Sequence, residues 1–382
     1  MKRALMMASV ASMISSFNRD NIKILEDQGF QVDIACNFEY GDDSSRDRGI
    51  AYRKEVEAKG NQTYQLPISR SILRVNDIIA AYRLMKKLCI SNRYEIVHCH
   101  SPIGGVVARL ACRKARKTGT KVIYTAHGFH FYTGAPKKNW LLYYSVERWV
   151  SRFTDLIITI NSEDYKRAQT FKAREVVYIP GIGVDTDKFR KVDADRNKIR
   201  KELGIDDDTV VLLSIGDLIT RKNHETALRA VAKLTHQNYQ YMICGEGKLG
   251  SYLKTLAKQL DIENKVRFLG YRSDIPDICK ASDVFIFPSY QEGLPVAMME
   301  AMSAGLPIVC SSIRGNTDLI ANNAGGFLHP PQDLVGFSSS IDQLIINNDL
   351  RKEMGHRNSE EAYQYDKKNV NVIMAKIYAG IE

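Results

Sequence analysis

The sequence predicts an α/β protein of two successive parallel-sheet domains facing each other across a cleft. Three observations predict it. Short apolar runs alternate with helical segments along the chain; the runs form two series parted by a charged, turn-rich stretch at 181–208; and 382 residues suffice for two domains with ample cores. The first series places strands at 4–10, 30–35, 63–67, 96–100, 121–125, 156–160 and 176–179. The second places them at 210–215, 240–244, 265–269, 284–287, 308–310 and 326–328. A boundary near residue 190 follows, giving domains 1–190 and 191–366. Open parallel sheets bind ligands at the carboxyl ends of their strands, so the substrates are expected to meet between the two sheets. Residues 367–382 have helical spacing, with Val370, Ile373, Met374 and Ile377 on one face.

Composition narrows the class. With 44% hydrophobic and 26% charged residues the chain reads as an ordinary soluble globular protein. Residues 1–10 superficially resemble a leader, but Ser9, Ser12, Ser15 and Asn18 interrupt the apolar run, and a buried first strand is expected. No segment offers the ~20 uninterrupted apolar residues of a membrane-spanning helix. Seven cysteines without a C-x-x-C pair imply reduced, mostly buried thiols in a cytosolic protein. The net charge of +10 is unevenly spread: residues 1–190 carry 31 Lys/Arg against 19 Asp/Glu, and residues 191–382 carry 23 against 25. The basic residues are dispersed and accompany no nucleic-acid motif, so an anionic membrane surface or a phosphate-linked acceptor is the expected partner, not nucleic acid. At 129–149 aromatic and basic residues mix in a way that suits an interfacial surface, although core packing accounts for many of the rings equally well.

One segment carries most of the chemistry. Asp283-Val284-Phe285-Ile286-Phe287 reads as a strand, 288–294 as a loop, and 295–304 as a helix closed by Gly305 and Pro307. Pro295 suits the first helical position, where a missing N–H is no loss. The N–H groups of Gly293, Leu294 and Val296 would then surround the positive end of the helix, and Gly293 lets an anion approach closely. Glu292 before the helix and Glu300 in its second turn are placed to accept hydrogen bonds from neutral hydroxyls, as a sugar supplies. Taken alone, two glutamates eight apart are more often solvated surface residues.

The whole segment resembles the signature of retaining glycosyltransferases of family 4 and their GT-B fold relatives, in which two glutamates separated by seven residues flank a Gly-Leu-Pro turn. Glu292, Gly293, Leu294, Pro295 and Glu300 carry the match. The resemblance extends over essentially the whole chain and implies two Rossmann-like domains, an N-terminal one for the acceptor and a C-terminal one for the nucleotide sugar. It further implies that Gly293 and Leu294 hold the donor diphosphate, that Glu300 binds the nucleotide ribose, that Glu292 faces the transferred sugar, and that the last helix crosses back onto the N-terminal domain.

Other candidates follow the strands. After the strand at 210–215, Gly216 permits an unusual turn, and Arg221 and Lys222 are placed to neutralise a diphosphate whose charge grows as the sugar leaves. The family commonly shows Gly-Arg-Leu here with Lys-Gly four residues after the Leu. This chain keeps Gly216, Leu218 and Lys222, has Asp217 in place of the Arg and Asn223 in place of the Gly, and leaves Arg221 as the substitute cation. His127, at the carboxyl end of the strand at 121–125, corresponds to a family histidine that touches the donor sugar, whereas a lone histidine is by default structural. Arg272 resembles the position beside the donor base.

Two rival chemistries are weighed. His98, Cys99, His100, His127 and His130 raise a metal site, but His98 and His100 are read as facing opposite sides of their strand, which argues against zinc. Gly245-Glu246-Gly247-Lys248-Leu249-Gly250 matches the dinucleotide fingerprint G-x-G-x-x-G, yet the next strand ends in Gly270-Tyr271-Arg272 without the acidic ribose contact.

The resulting expectation is a metal-independent, retaining GT-B glycosyltransferase without a cofactor. It would move a sugar from a UDP-type donor to a saccharide acceptor, lipid-linked, at the cytoplasmic face of a membrane, for surface polysaccharide. His127, Lys222 and Glu292 would act at the reacting centre, and Gly216, Arg221, Arg272, Gly293, Leu294, Pro295 and Glu300 would bind the donor. A UDP-sugar epimerase or hydrolase, and a non-catalytic sugar-binding protein, are the alternatives.

Overall fold

The computed structural model describes residues 2–69, 71–192 and 195–381, which form two compact units. One comprises the chain up to Ile182 together with the residues from Lys368 onward; the other is Gly183–Lys367. Each is built on one parallel sheet with helices between its strands, the Rossmann-like architecture expected for both domains.

In the first unit, β1 (Lys2–Val10), β2 (Phe30–Asn37), β3 (Thr63–Gln65), β4 (Ile96–His100), β5 (Lys121–Ala126), β6 (Leu156–Thr159) and β7 (Glu175–Tyr178) form one sheet in the order β3-β2-β1-β4-β5-β6-β7. All pairs are parallel, with Met6 opposite both Ile34 and His98. The central strands are largely apolar because helices cover both faces: Ala4 to Ala8 are fully buried. The seven cysteines are all free and buried.

The second unit repeats the scheme with β8 (Val210–Ile215), β9 (Tyr239–Cys244), β10 (Val266–Gly270), β11 (Val284–Phe287), β12 (Ile308–Ser311) and β13 (Gly326–His329), in the order β10-β9-β8-β11-β12-β13. In each sheet the order reverses beside the first strand, between β1 and β4 and between β8 and β11. Such a switch point opens a crevice at the strands' carboxyl ends. In the second unit the loops leaving β8 and β11 there are those carrying Gly216 to Lys222 and Glu292 to Pro295.

One boundary and one helix face differ from those read in the sequence. The division falls at Ile182/Gly183, not near residue 190, because the helix Thr186–Arg190 buries Thr186 and Phe189 within the second unit and Thr186 Oγ1 donates to Asp366 at 2.5 Å. The final helix, Lys367–Ile381, buries Val370, Met374 and Tyr378, a stripe of four-residue steps that leaves Ile373 and Ile377 only partly covered. It belongs to the first unit, where Gln28 Nε2 donates to the Ala375 carbonyl at 2.8 Å.

The mixed aromatic segment divides cleanly. Phe129 and Phe131 stack with centroids 4.7 Å apart and, with Trp140, Tyr144 and Phe171, form core. Leu141, Leu142 and Trp149 point to solvent at 79%, 47% and 45% exposure, beside exposed Lys137, Lys138, Arg148 and Arg152. Among the described residues no helix is long and apolar enough to cross a membrane.

Candidate active site

The turn between β11 and the helix Val296–Ser303 is held by its carbonyls. Asn223 Nδ2 donates to the Pro288 oxygen at 2.9 Å, Ser311 Oγ to Ser289 at 2.6 Å, Arg221 Nη1 to Gln291 at 2.8 Å, and Arg314 Nε and Nη2 to Glu292 at 3.1 and 2.9 Å. Gly315 brings a second backbone against the turn, since a Cβ there would stand 2.3 Å from the Gly293 oxygen. The amides are treated differently: those of Gly293, Leu294 and Val296 have no hydrogen-bond acceptor among the described residues. Acceptors drawn inward and donors left over are what an anion site at a helix start requires. Pro295 is the N-cap, with φ −77° and ψ 118°, not the first helical residue; its carbonyl accepts from Met298 at 3.2 Å and Met299 at 3.3 Å. The one-residue shift costs nothing, because an N-cap N–H lies outside the helical bonding as well.

Glu292 is 8% exposed and sits between two cations. Lys222 Nζ lies 2.8 Å and Arg221 Nη1 2.9 Å from the same oxygen, Oε1. Lys222 also stands 4.7 Å over the Phe287 ring, while its stem runs past Gly216, where a Cβ would come within 3.2 Å of Lys222 Cε. Gly216, Arg221, Lys222 and Glu292 are thus one cluster with an excess of one positive charge. Asp217, the departure from the family pattern, is exposed and makes no ion pair among the described residues. His224, which the sequence reading passed over, packs beneath this turn against the backbone of Gly216 and Asp217; burial pulls its pKa down to about 4 and keeps it neutral.

Glu300 is partly buried on the helix, and its carboxylate has no hydrogen-bond partner among the described residues. Burial raises its pKa to about 7, with Lys188 opposing the rise. Arg272, just past the end of β10, is engaged with Asp274: Nε lies 2.8 Å from Oδ1 and Nη2 contacts Oδ2, a pairing that raises the guanidinium pKa.

The glycine-rich run after β9 has a packing role. A Cβ on Gly245 would stand 2.0 Å from the Gly216 oxygen, and one on Gly247 2.5 Å from the Leu218 oxygen. Gly216 and Leu218 N–H groups donate to Cys244 and Glu246 carbonyls at 2.9 Å. These glycines let two loops touch backbone to backbone and so shape the turn that carries Lys222.

In the first unit, His127 follows β5 with its Nε2 3.1 Å from His100 Nδ1. His98 and His100 share one face of β4, with ring centroids 4.2 Å apart, which corrects the opposite-face reading: residues two apart on a strand point the same way. Tyr378 and Thr125 occupy the two nitrogens of His98 at 2.7 and 2.8 Å. Among the described residues no three His, Cys, Asp or Glu side chains are grouped to hold a metal ion. Asn223 and Arg314, which tie down the carbonyls around Glu292, were not read as site residues; no local motif marks them.

Comparisons with known proteins match both halves of the chain. Residues 17–188 match the family described as Glycosyltransferase Family 4, and residues 195–361 that described as Glycosyl transferases group 1. The protein EpsD of Bacillus subtilis (strain 168) is 36% identical over 99% of this chain and 97% of its own length. An Escherichia coli enzyme named UDP-Gal:alpha-D-GlcNAc-diphosphoundecaprenol alpha-1,3-galactosyltransferase is 29% identical over 88% of this chain and 86% of its own. Among solved structures, Anabaena HepE in complex with UDP superposes with a TM-score of 0.79 at 19% identity, covering 100% of both chains.

Proposed function

The chain belongs to the glycosyl transferases of group 1 and family 4, GT-B enzymes that transfer a sugar from a nucleotide-diphosphate donor, and on that premise we propose a UDP-sugar donor, a lipid-linked saccharide acceptor and retention of anomeric configuration. The observation that carries the reading is the turn at Glu292 to Val296, with its carbonyls tied inward, three amides without an acceptor among the described residues and two cations at its edge. The diphosphate sits on the amides of Gly293, Leu294 and Val296. Lys222 and Arg221 turn from Glu292 toward its oxygens, so the growing charge of the leaving group meets fixed positive charge without a metal ion. Glu292, released from these two partners, accepts hydrogen bonds from hydroxyls of the transferred sugar, as does His127. Glu300 takes the ribose and Arg272 lies beside the base. In a front-face reaction the acceptor oxygen attacks the anomeric carbon as the C–O bond to the diphosphate breaks, and a departing phosphate oxygen takes the acceptor's proton.

The acceptor class is supported by the Escherichia coli relative, whose name specifies a diphosphoundecaprenol-linked sugar, and by the excess of basic residues before residue 190. An enzyme using such an acceptor would work at the cytoplasmic face of the membrane in surface polysaccharide synthesis. Thermal shift across a panel of nucleotide sugars, followed by product analysis with a lipid diphosphate-linked saccharide, tests the proposal. Acceptor-dependent UDP release with a retained anomer is expected. Sugar epimerisation or UDP release independent of acceptor would favour the epimerase or hydrolase reading instead.

A further inference from the structure

The histidines around β4 and β5 form a defined hydrogen-bond chain whose direction can be worked out. His100 is fully buried, with Nε2 3.1 Å from Met6 Sδ and Nδ1 3.1 Å from His127 Nε2. A thioether has no proton to give, so the hydrogen between Met6 and His100 belongs to His100 Nε2. Burial holds His100 well below its ordinary pKa and His127 at about 4, so each ring carries a single N–H. His100 Nδ1 is therefore a lone pair, and the hydrogen between the two rings belongs to His127 Nε2. His127 Nδ1 is then also a lone pair, and it has no partner among the described residues.

We propose that His100 is a positioning residue which, anchored by Met6, fixes His127 as the Nε2–H tautomer, so that His127 Nδ1 accepts a hydrogen bond from a hydroxyl of the transferred sugar. The inference rests on the reading that His127 meets that sugar. It makes this contact selective: the site takes a sugar with a free hydroxyl at the contacted carbon, and a deoxy or O-methyl sugar there loses the bond because neither brings a proton. The orientation comes from the fold, since Met6, His100 and His127 lie on or next to three neighbouring strands.

The first test reads the wild-type protein and uses a variant only for assignment. In the full chain labelled with ¹⁵N-histidine, long-range ¹H–¹⁵N spectra at neutral pH should show the His127 resonances, assigned by their loss in His127→Ala, with pyridine-type Nδ1 and pyrrole-type Nε2. The reverse pattern would overturn the proposal. The second test is calorimetric, using UDP, UDP-glucose, UDP-galactose and their N-acetylhexosamine counterparts. For the tightest sugar, the ratio of its affinity to that of UDP alone should fall about tenfold in His100→Phe, the factor expected from one lost hydrogen bond, with UDP binding unchanged. His100→Asn, whose amide oxygen can accept from His127 Nε2–H, should restore most of it. An unchanged ratio in folded His100→Phe would overturn the relay. An unchanged ratio in His127→Ala would instead remove His127 from the sugar site, a failure of the underlying reading that the wild-type spectrum distinguishes.

Discussion

Lys222 Nζ and Glu292 Oε1 are 2.8 Å apart, 70 residues distant in sequence, with side chains 13% and 8% exposed. Their pairing joins the β8 and β11 loops at the switch point of the second sheet. On the proposed reading, Lys222→Ala removes a cation from the leaving group, and it leaves Glu292 with Arg221 alone. A drop of about 10²-fold or more in kcat is expected, the scale of losing one donor that acts on developing charge. Acceptor-dependent UDP release measures it, and a melting curve checks that the variant is folded.

Glu300 sets a pH dependence. Its pKa, raised to about 7 in the folded protein from an ordinary 4.5, means that the folded state holds an extra proton between those values, so this group's contribution to stability falls as pH rises through that window. Glu300→Gln should therefore stabilise the free protein at pH 8, by about 1–2 kcal/mol after allowance for solvent screening. On the proposed ribose role of Glu300, the hydroxyls donate to the ionised carboxylate, so UDP-sugar affinity should rise from pH 6 to pH 8. Calorimetry at the two pH values tests this, and a Glu300→Gln variant with the same slope would refute it.

Gly245 separates packing from dinucleotide binding. With φ +146° and a Cβ that would stand 2.0 Å from the Gly216 oxygen, Gly245→Ala must push the Lys222 turn aside. A loss of about 1–3 kcal/mol in stability is expected, together with weaker UDP binding. The wild-type protein should show no thermal shift with NAD.

Arg109 and Glu147 form a buried pair, 2.8 Å apart, with Arg109 also 4.0 Å over the Tyr124 ring. Removing only the acid leaves a fully buried guanidinium without its counter-charge. Glu147→Ala should cost about 3–5 kcal/mol in urea unfolding, whereas the apolar double variant Arg109→Met/Glu147→Leu should recover much of it.

The exposed strip of Leu141, Leu142 and Trp149 with Lys137, Lys138, Arg148 and Arg152 is the surface on which binding to an anionic bilayer should depend. At about 1 kcal/mol for each cation near the surface, Arg148→Glu/Arg152→Glu should weaken sedimentation with phosphatidylglycerol vesicles at least tenfold at low salt. Equal binding to neutral vesicles would count against this surface.

The sequence by itself determined the parallel sheets, because strands buried on both faces must be unbroken apolar runs, and it located the Glu292-to-Glu300 segment, because a strand, a glycine turn and a helix start are short-range features. It also indicated a cationic role for Lys222 from the loop it occupies. Only the tertiary structure decided that Asn223 and Arg314 tie down the turn's carbonyls, that Arg221 and Lys222 share one oxygen of Glu292, that His98 and His100 face the same way with His100 bonded on to His127, and which rings between Phe129 and Trp149 are core. Periodicity and turn chemistry act over a few neighbouring residues and can be read from order alone. Ion pairs, tautomers and shifted pKa values arise between groups tens to hundreds of residues apart, and those distances exist only once the chain has folded.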